Sequence, residues 1–262
     1  MIKNIGITAA LIKYNLKAMS SYKKDFIIGI IIVLINTLFS LLFIEVLYNN
    51  INTIANWNKY EIILIYAISS INMAVYNIVC GNYRSLKKYI FTGELETMLT
   101  KPLNIILHLK IREIDVQPVL DIVVYVALLF FCLNNLNVAV STPVLIKTLI
   151  LSALGVMFMS SVMLTSLSFL FYTRYTYTPY DSVIMIAQLA EYPVNIYSGI
   201  FKNIMLTVFP VTLMGYLPAN TILMKDSIPF NRAVVLIVII YYFASRIIFK
   251  HSLRRYDGIG SW

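Results

Sequence analysis

Long apolar runs constrain the fold of this chain more strongly than any single motif does. Six stretches of mostly apolar residues are separated by polar segments, at about residues 26–48, 60–80, 118–133, 143–171, 181–200 and 230–249. A helix rises about 1.5 Å per residue, so about 20 apolar residues cross the hydrocarbon core of a bilayer. We therefore predict an all-α integral membrane protein, with six transmembrane helices in a single domain over residues 1–262.

The composition supports a membrane protein and argues against a soluble domain. Hydrophobic residues make up 60% of the 262 residues and charged residues 13%, whereas charged residues make up about a quarter of a typical soluble domain. The net charge of +9 could indicate nucleic-acid binding. In a membrane protein, however, positive charge sets the orientation of the chain, so we predict contact with membrane lipids and none with nucleic acid.

Basic residues are distributed unevenly between the two sides of the predicted membrane domain. Most of the 21 lysine and arginine residues lie in the two termini and in the segments at 83–112 and 172–180. The other side holds only Lys59, Lys147, Lys202, Lys225 and Arg232. Because cytoplasmic loops carry the excess of basic residues, we predict that both termini are cytoplasmic.

The first 25 residues have the pattern of an amphipathic helix. Apolar residues recur at three- and four-residue steps on one face, and lysines recur on another, at Lys13, Lys17 and Lys24. Such a helix lies in the membrane interface with its lysines toward anionic headgroups. The alternative is an ordinary helix packed on the bundle.

The fifth apolar region is less regular than the others. It contains Pro193 and Pro210, and proline interrupts helices. We prefer a span at about 181–200 followed by short outer re-entrant helices at 200–224. The alternative places the span at about 204–221. Broken helices are tolerated at membrane depth where neighbouring protein satisfies the freed backbone groups.

The longest polar interval, residues 83–112, lies between the second and third spans. It contains six basic residues but only Glu94 and Glu96 against them. Gly93 permits a tight entry into a short helix, and Pro102 disfavours helix beyond it. One apolar stripe at helical spacing is predicted on this helix, formed by Leu95, Met98, Leu99 and Leu103. The pattern fits a cytoplasmic docking element or a solvated loop that only connects two spans.

The sequence contains no motif for catalysis, nucleotide binding or metal binding. A GxxxxGK[ST] loop, an HExxH motif, a GxSxG motif and a Cys/His cluster are all missing, so we predict no enzymatic activity. The two histidines, His108 and His251, are predicted to be surface residues because they lie in basic segments.

Ionisable residues inside spans are costly and mark candidate functional sites. Asp121 and Arg246 each lie about one turn inside the cytoplasmic end of a span, so an intramembrane ion pair between them is a hypothesis. The alternative is that each side chain reaches the interface separately. Glu191 precedes Pro193, where the fifth span weakens, and it could cap an outer helix or line a cavity.

Several short runs resemble one known family. They are GELETMLTKPLN at 93–104, YPVNIY at 192–197, FP at 209–210, YLPA at 216–219 and LRRY at 253–256. Their order and spacing resemble the six-span permease subunits of bacterial ABC-2-type ABC transporters, in a subgroup formerly classed as a domain of unknown function. The resemblance covers nearly the whole chain.

The resemblance implies a transport function and several partners. Such permeases pair as homodimers or related heterodimers in the bacterial inner membrane, and they bind two copies of a cytoplasmic ABC ATPase that holds ATP and Mg²⁺. They usually export peptides, antibiotics, lipids or similar amphiphiles. The polar segment would be a coupling helix in a cleft of the ATPase, with its apolar stripe inserted. Eight residues would carry this contact: Gly93, Glu94, Leu95, Glu96, Met98, Leu99, Lys101 and Pro102.

Three other functions fit an apolar chain of this kind. A secondary transporter or channel working without an ATPase would show inverted repeats and paired charges near the bilayer midplane, and we find no repeat. A membrane-embedded enzyme needs a catalytic constellation, which the motifs do not supply. A membrane scaffold without transport activity is the third.

Overall fold

Helices form the framework of the protein. The structure is a computed structural model, and it describes residues 23–49, 51–112, 115, 117–173, 180–225 and 232–256. The α-helices in this part of the chain are α1 Lys23–Tyr48, α2 Lys59–Cys80, α3 Leu86–Phe91, α4 Glu94–Leu99, α5 Ile105–Ile111, α6 Gln117–Leu136, α7 Thr142–Ser168, α8 Tyr180–Gln188, α9 Gly199–Leu206, α10 Tyr216–Leu223 and α11 Arg232–Leu253. Short 3-10 helices lie at Gly81–Ser85, Phe169–Phe171, Leu189–Glu191, Val194–Ile196 and Val211–Met214.

Five helical stretches are long and apolar enough to cross a membrane. They are Ile27–Tyr48, Lys59–Phe91, Gln117–Leu136, Thr142–Phe171 and Ala233–Leu253. Five of the six predicted spans therefore have a matching helix. The predicted amphipathic helix at residues 1–25 falls mostly on residues outside the described part of the chain.

The preferred fifth span at 181–200 is not one continuous helix. Helix α8 has only 9 residues, and Tyr192 adopts an extended conformation, with φ of −119° and ψ of 153°. Proline disfavours helical backbone at the residue before it, so Pro193 explains this break. The chain continues as short helices up to the end of α10.

Helix α2 is the central helix of the bundle. It packs against α6 and α7 and against the short helices between α8 and α10, and residues 62–68 are all buried. A capping box fixes its start: the Asn58 side chain accepts a hydrogen bond from the backbone N–H of Glu61, and the Glu61 carboxylate accepts one from Asn58 N–H. Helix α11 packs mainly on α7.

Residues 189–215, which we call the mid-span break, pack on α2 and α7 through their two ends, at 189–191 and 211–215. A Cβ at Gly155 would lie 2.7 Å from the carbonyl oxygen of Leu213, and a Cβ at Gly215 would lie 2.3 Å from the carbonyl oxygen of Ala190. Neither position has space for a side chain. The Cβ at Gly215 would also lie 3.2 Å from the carbonyl oxygen of Ile65 on α2, so the break packs closely against the backbone of both long helices.

Residues 81–112, which we call the short-helix cluster, extend the hydrophobic core of the bundle beyond the Cys80 end of α2. Leu86, Tyr89 and Leu109 are completely buried in it. The Asn82 amide nitrogen donates to the carbonyl of Leu109 at 2.7 Å, and the Tyr89 hydroxyl donates to the Asn82 amide oxygen at 2.9 Å. The cluster is thus held by packing and by an internal polar network.

Candidate functional site

Helix α4 lies at the far edge of the short-helix cluster. Gly93, which joins it to α3, has φ of 72° and ψ of 1°, a left-handed conformation that costs glycine little and other residues more. The tight turn folds α4 back on α3 and α5. The predicted short helix after Gly93 is therefore present, and it ends at Leu99.

The predicted apolar stripe is divided between two faces of α4. Leu95 and Met98 are completely buried against the cluster, whereas Leu99 is 42% exposed and Leu103 is half-buried. Leu95 is thus covered within this chain, and its insertion into a partner stays a prediction. The exposed residues, which we call the α4 tip, are Glu96, Thr97, Leu99, Thr100, Lys101 and Pro102.

Charged side chains fix the orientation of α4. The Glu94 carboxylate forms an ion pair with Arg112, whose guanidinium lies 4.9 Å from the centroid of the Tyr89 ring. The Tyr256 hydroxyl lies 3.5 Å from a carboxylate oxygen of Glu96. Helix α4 is therefore tied to α3, to the end of α5 and to the segment that follows α11.

His108 lies beneath α4 and is only 2% exposed, so the expectation of a surface histidine is wrong. It lies on the buried side of α5 with Ile105 and Leu109, and α5 packs on α4. Burial lowers the pKa of His108 below its ordinary value, and the nearby charges of Lys101 and Arg112 lower it further. The imidazole is therefore neutral at neutral pH, and a proton added to it would be buried beside two cations.

The hypothetical ion pair between Asp121 and Arg246 is not formed in the described structure. The Asp121 carboxylate accepts a hydrogen bond of 2.9 Å from Gln117, one turn earlier on α6. The Arg246 guanidinium donates to the carbonyl of Tyr242 at 2.8 Å and lies over the ring of the same residue. The two side chains belong to helices that pack on different neighbours, because α6 contacts α2 and α11 contacts α7.

Asp121 and Arg246 were predicted to lie at the same depth in the membrane, but the two side chains do not form a pair. Sequence reasoning also missed the contact between Tyr256 and Glu96, which are 160 residues apart, and no pattern in the sequence indicates it. The ion pair between Glu94 and Arg112 had a weak signal, since both residues are charged members of the same polar interval. Within the described residues, no group of three or more His, Cys, Asp and Glu side chains is arranged to bind a metal.

The bundle of long apolar helices defines a multi-pass integral membrane protein. A family model described as ABC-2 family transporter protein matches residues 34–260. The chain therefore belongs to the ABC-2 transporter family, which confirms the predicted family. The membrane domain of this family is a transport permease and not a catalytic domain. No curated protein and no solved structure matches the chain.

Proposed function

We propose that this protein is the membrane-spanning subunit of an ABC exporter, driven by a separate ATPase that docks on the α4 tip. The observation that carries the proposal is the shape of the short-helix cluster, in a chain of the ABC-2 family. One face of α4 is buried and fixed by Glu94 and Arg112. The opposite face presents Leu99 beside polar groups, as a docking surface requires.

Six membrane crossings are proposed, of which five are continuous and one is broken. Tyr180, at the start of α8, lies within electrostatic range of Arg84, near the Cys80 end of α2. Lys225, just after α10, forms an ion pair with Glu61, near the Lys59 end of α2. The chain from α8 to α10 therefore passes from one end of the bundle to the other. We propose that both termini lie on the same side, and the excess of basic residues in the terminal segments favours the cytoplasm as that side.

Movement of α4 is passed on to the bundle through α2. Helix α2 leads directly into the 3-10 helix at Gly81–Ser85 and then into α3, with a bend at Cys80, whose φ is −136° and ψ 0°, so the central helix is joined to the short-helix cluster without a loop. ATP-driven closure of the ATPase would displace the α4 tip, and α3 and α5 would carry α2 with it. Helix α2 contacts α6, α7 and the mid-span break, so its displacement changes the packing of most of the bundle.

The proposed assembly contains two permease chains and two ATPase subunits. The second permease chain is identical or related to this one, and ATP and Mg²⁺ bind to the ATPase subunits. The exported substrate is an amphiphile such as a peptide, an antibiotic or a lipid. The proposed location is the inner membrane of a bacterial cell.

Copurification tests the proposed docking surface. We would purify the full chain from its native membranes and measure the amount of Walker-motif ATPase that remains bound. The test variant is Leu99→Asp, and the matched control is Leu107→Asp on α5. These leucines are 42% and 40% exposed and belong to the same cluster, so both substitutions leave the fold intact.

We expect Leu99→Asp to reduce ATPase binding at least about tenfold, because a charge is placed in the centre of the contact. Leu107→Asp should retain the wild-type amount. Equal loss in both variants would show that the ATPase contacts the cluster without preference for α4. Undiminished binding in Leu99→Asp, or transport by the chain alone under an ion gradient, would contradict the proposal.

A further inference from the structure

A cavity of about 250 Å³ lies near the Lys59 end of the bundle, far from the α4 tip. It is formed by α1, by α2 and by the start of the mid-span break. Phe39 and Phe43 line it from α1, Tyr66 from α2, and Glu191 and Tyr192 from the break. Four aromatic rings and one carboxylate thus surround one space.

The cavity lies within the depth of the membrane. Phe39 and Phe43 precede the last residue of α1, Tyr48, by nine and five positions, which corresponds to roughly 7–14 Å along the helix. Phe39 is 67% exposed and Phe43 is 52% exposed, so the cavity opens on the α1 side, toward the acyl chains.

Glu191 is the single charged side chain among the described residues that line this cavity. Four other acidic residues outside the membrane interior are paired with a base: Glu45 with Lys59, Glu61 with Lys225, Glu94 with Arg112, and Asp115 with Arg84. Within the described part of the chain, no hydrogen bond or ion pair is found for Glu191. An intramembrane carboxylate of this kind is costly and is therefore a candidate functional group.

We propose that this cavity binds the ammonium or guanidinium group of a cationic amphiphile, which is the exported substrate. The faces of aromatic rings attract cations, and the Glu191 carboxylate supplies the opposite charge in a poorly hydrated site. The open side of the cavity lets the apolar tail of the same molecule remain among the acyl chains. This inference rests on the proposed export function and specifies its substrate class.

A second cavity extends the argument toward the opposite side of the membrane. It has a volume of about 330 Å³, lies at the Cys80 end of α2, and is lined by polar groups that include Asp115 and Asp121. Tyr125 lies one turn beyond Asp121 on α6 and contacts Tyr66 edge to face, with ring centroids 5.9 Å apart. Arg84 also lines the second cavity and forms an ion pair with Asp115, so Asp121 is the acidic group there that a cation leaving the first cavity would meet.

A binding experiment tests the proposal on the full chain in lipid nanodiscs. The probes are radiolabelled dodecyltrimethylammonium and uncharged dodecanol, with empty nanodiscs measured to correct for partition into lipid. The test variant is Glu191→Gln, which keeps the size of the side chain and removes its charge. The matched control is Glu45→Gln, which removes an acidic charge from the exposed Lys59 end of the bundle.

We expect Glu191→Gln to weaken dodecyltrimethylammonium binding at least about tenfold, as loss of one partner of a desolvated charge pair does. Glu45→Gln should change the affinity by less than about twofold, as for a surface pair. Dodecanol binding should be the same in all three proteins. Equal affinity of Glu191→Gln and the wild type for the cation, or equal weakening for both probes, would overturn the proposal.

Photolabelling of the wild type gives an answer even if the Glu191→Gln protein fails to fold. A diazirine derivative of dodecyltrimethylammonium should label residues 39–44 or 191–192, and excess unlabelled probe should prevent this. Labelling spread over the exposed face of α6, with no protection by unlabelled probe, would overturn the proposal.

The cation site and the ATPase-driven function are tested separately. The bound ATPase is measured in the same membranes as the affinity of the cation. Wild-type protein that retains the ATPase but binds the cation no more tightly than the Glu191→Gln variant refutes the site alone. Intact cation binding in a wild-type chain that associates with no ATPase refutes the export function alone.

Discussion

The short-helix cluster and the mid-span break are both built from helices of fewer than ten residues. They differ in how their backbone hydrogen-bonding groups are satisfied. The cluster leaves the α4 tip exposed, including Glu96 and Lys101. The break buries its last turn, because residues 211–214 are at most 1% exposed, whereas its middle part is exposed, with Ile200 at 79%. At the surface of the cluster, water forms hydrogen bonds with backbone N–H and C=O groups that have no partner in a helix. Inside the bundle, protein groups must do so.

Asn72 illustrates how side chains of the bundle donate hydrogen bonds to the backbone carbonyls of the mid-span break. Its amide nitrogen donates to the carbonyl of Met214 at 2.8 Å and also lies 3.1 Å from the hydroxyl of Ser152. The hydroxyl of Thr212 donates to the carbonyl of Met205 at 3.1 Å. The comparison indicates that short helices serve as an exposed contact surface in one place and as an interior packing element in the other.

The largest expected effect comes from adding a side chain to α7 at the point where the backbone of the mid-span break packs on it. Gly155→Val should destabilise the protein by about 3 kcal/mol or more, because the new side chain meets the backbone of Leu213 at 2.7 Å and backbone cannot move aside easily. Thermal unfolding followed by size-exclusion chromatography measures the effect. Ala153→Val on the exposed face of the same helix is the control and should leave the melting temperature nearly unchanged. A normal melting temperature for Gly155→Val would mean that the break does not pack on α7.

The next effect concerns the core of the short-helix cluster. Leu95→Ala should destabilise the cluster by about 2–4 kcal/mol, because the buried side chain leaves a cavity. Leu99→Ala on the exposed face should cost less than about 0.5 kcal/mol. Limited proteolysis within residues 83–112 measures both. If the two variants were cleaved at the same rate, α4 would not have distinct buried and exposed faces.

A smaller effect is expected at the polar contact that satisfies the break. Asn72→Leu should cost about 1–3 kcal/mol, since the carbonyl of Met214 loses its donor inside the bundle. The same substitution at Asn36, which is exposed on α1, should be close to neutral. Thermal unfolding of the two variants provides the comparison. Equal melting temperatures would show that the hydrogen bond adds nothing to stability.

The smallest effect is a dependence of the cluster on pH. The pKa of His108 is lowered by burial and by Lys101 and Arg112, so between this pKa and the ordinary value of about 6.5 the unfolded chain binds more protons. The stability that the neutral His108 contributes to the cluster is therefore fully present above about pH 6.5. It is lost as the pH falls from there through the lowered pKa of the folded state.

Protease resistance of the cluster at about pH 7.5 and about pH 5.5 measures this dependence. We expect faster cleavage at the lower pH, and we expect His108→Leu to remove most of the difference. His251→Leu, at an exposed histidine, is the control and should keep it. Wild-type protein with the same protease resistance at both pH values would contradict the effect expected from His108.

Much of the fold followed from the spacing of apolar residues. Hydrophobic runs predict where long helices lie, because each needs about 20 apolar residues and the bilayer sets that length. The same criterion failed at residues 181–200, where the run is apolar enough but Pro193 breaks the helix. Apolar content alone does not distinguish a continuous helix from short pieces buried in protein.

The candidate site was predicted only in part, for a related reason. The turn at Gly93 and the short helix after it were visible in the sequence, because glycine and proline act locally. Which leucine faces outward depends on α3 and α5, and the 3.6-residue period alone could not separate Leu95 from Leu99. The partners of Asp121 and Arg246 depend on which helices are neighbours, and depth along the helix carries no information on that.

The hydrogen bond between Asn72 and Met214 has a consequence for biogenesis. The two residues are 142 positions apart, so a ribosome must synthesise most of the chain before the amide of α2 meets its acceptor. Helices that enter a bilayer one after another first contact lipid or the insertion machinery. The most polar face of α2 would therefore remain unmatched through much of translation, and nascent chains that stop before residue 214 should be early targets for membrane proteases.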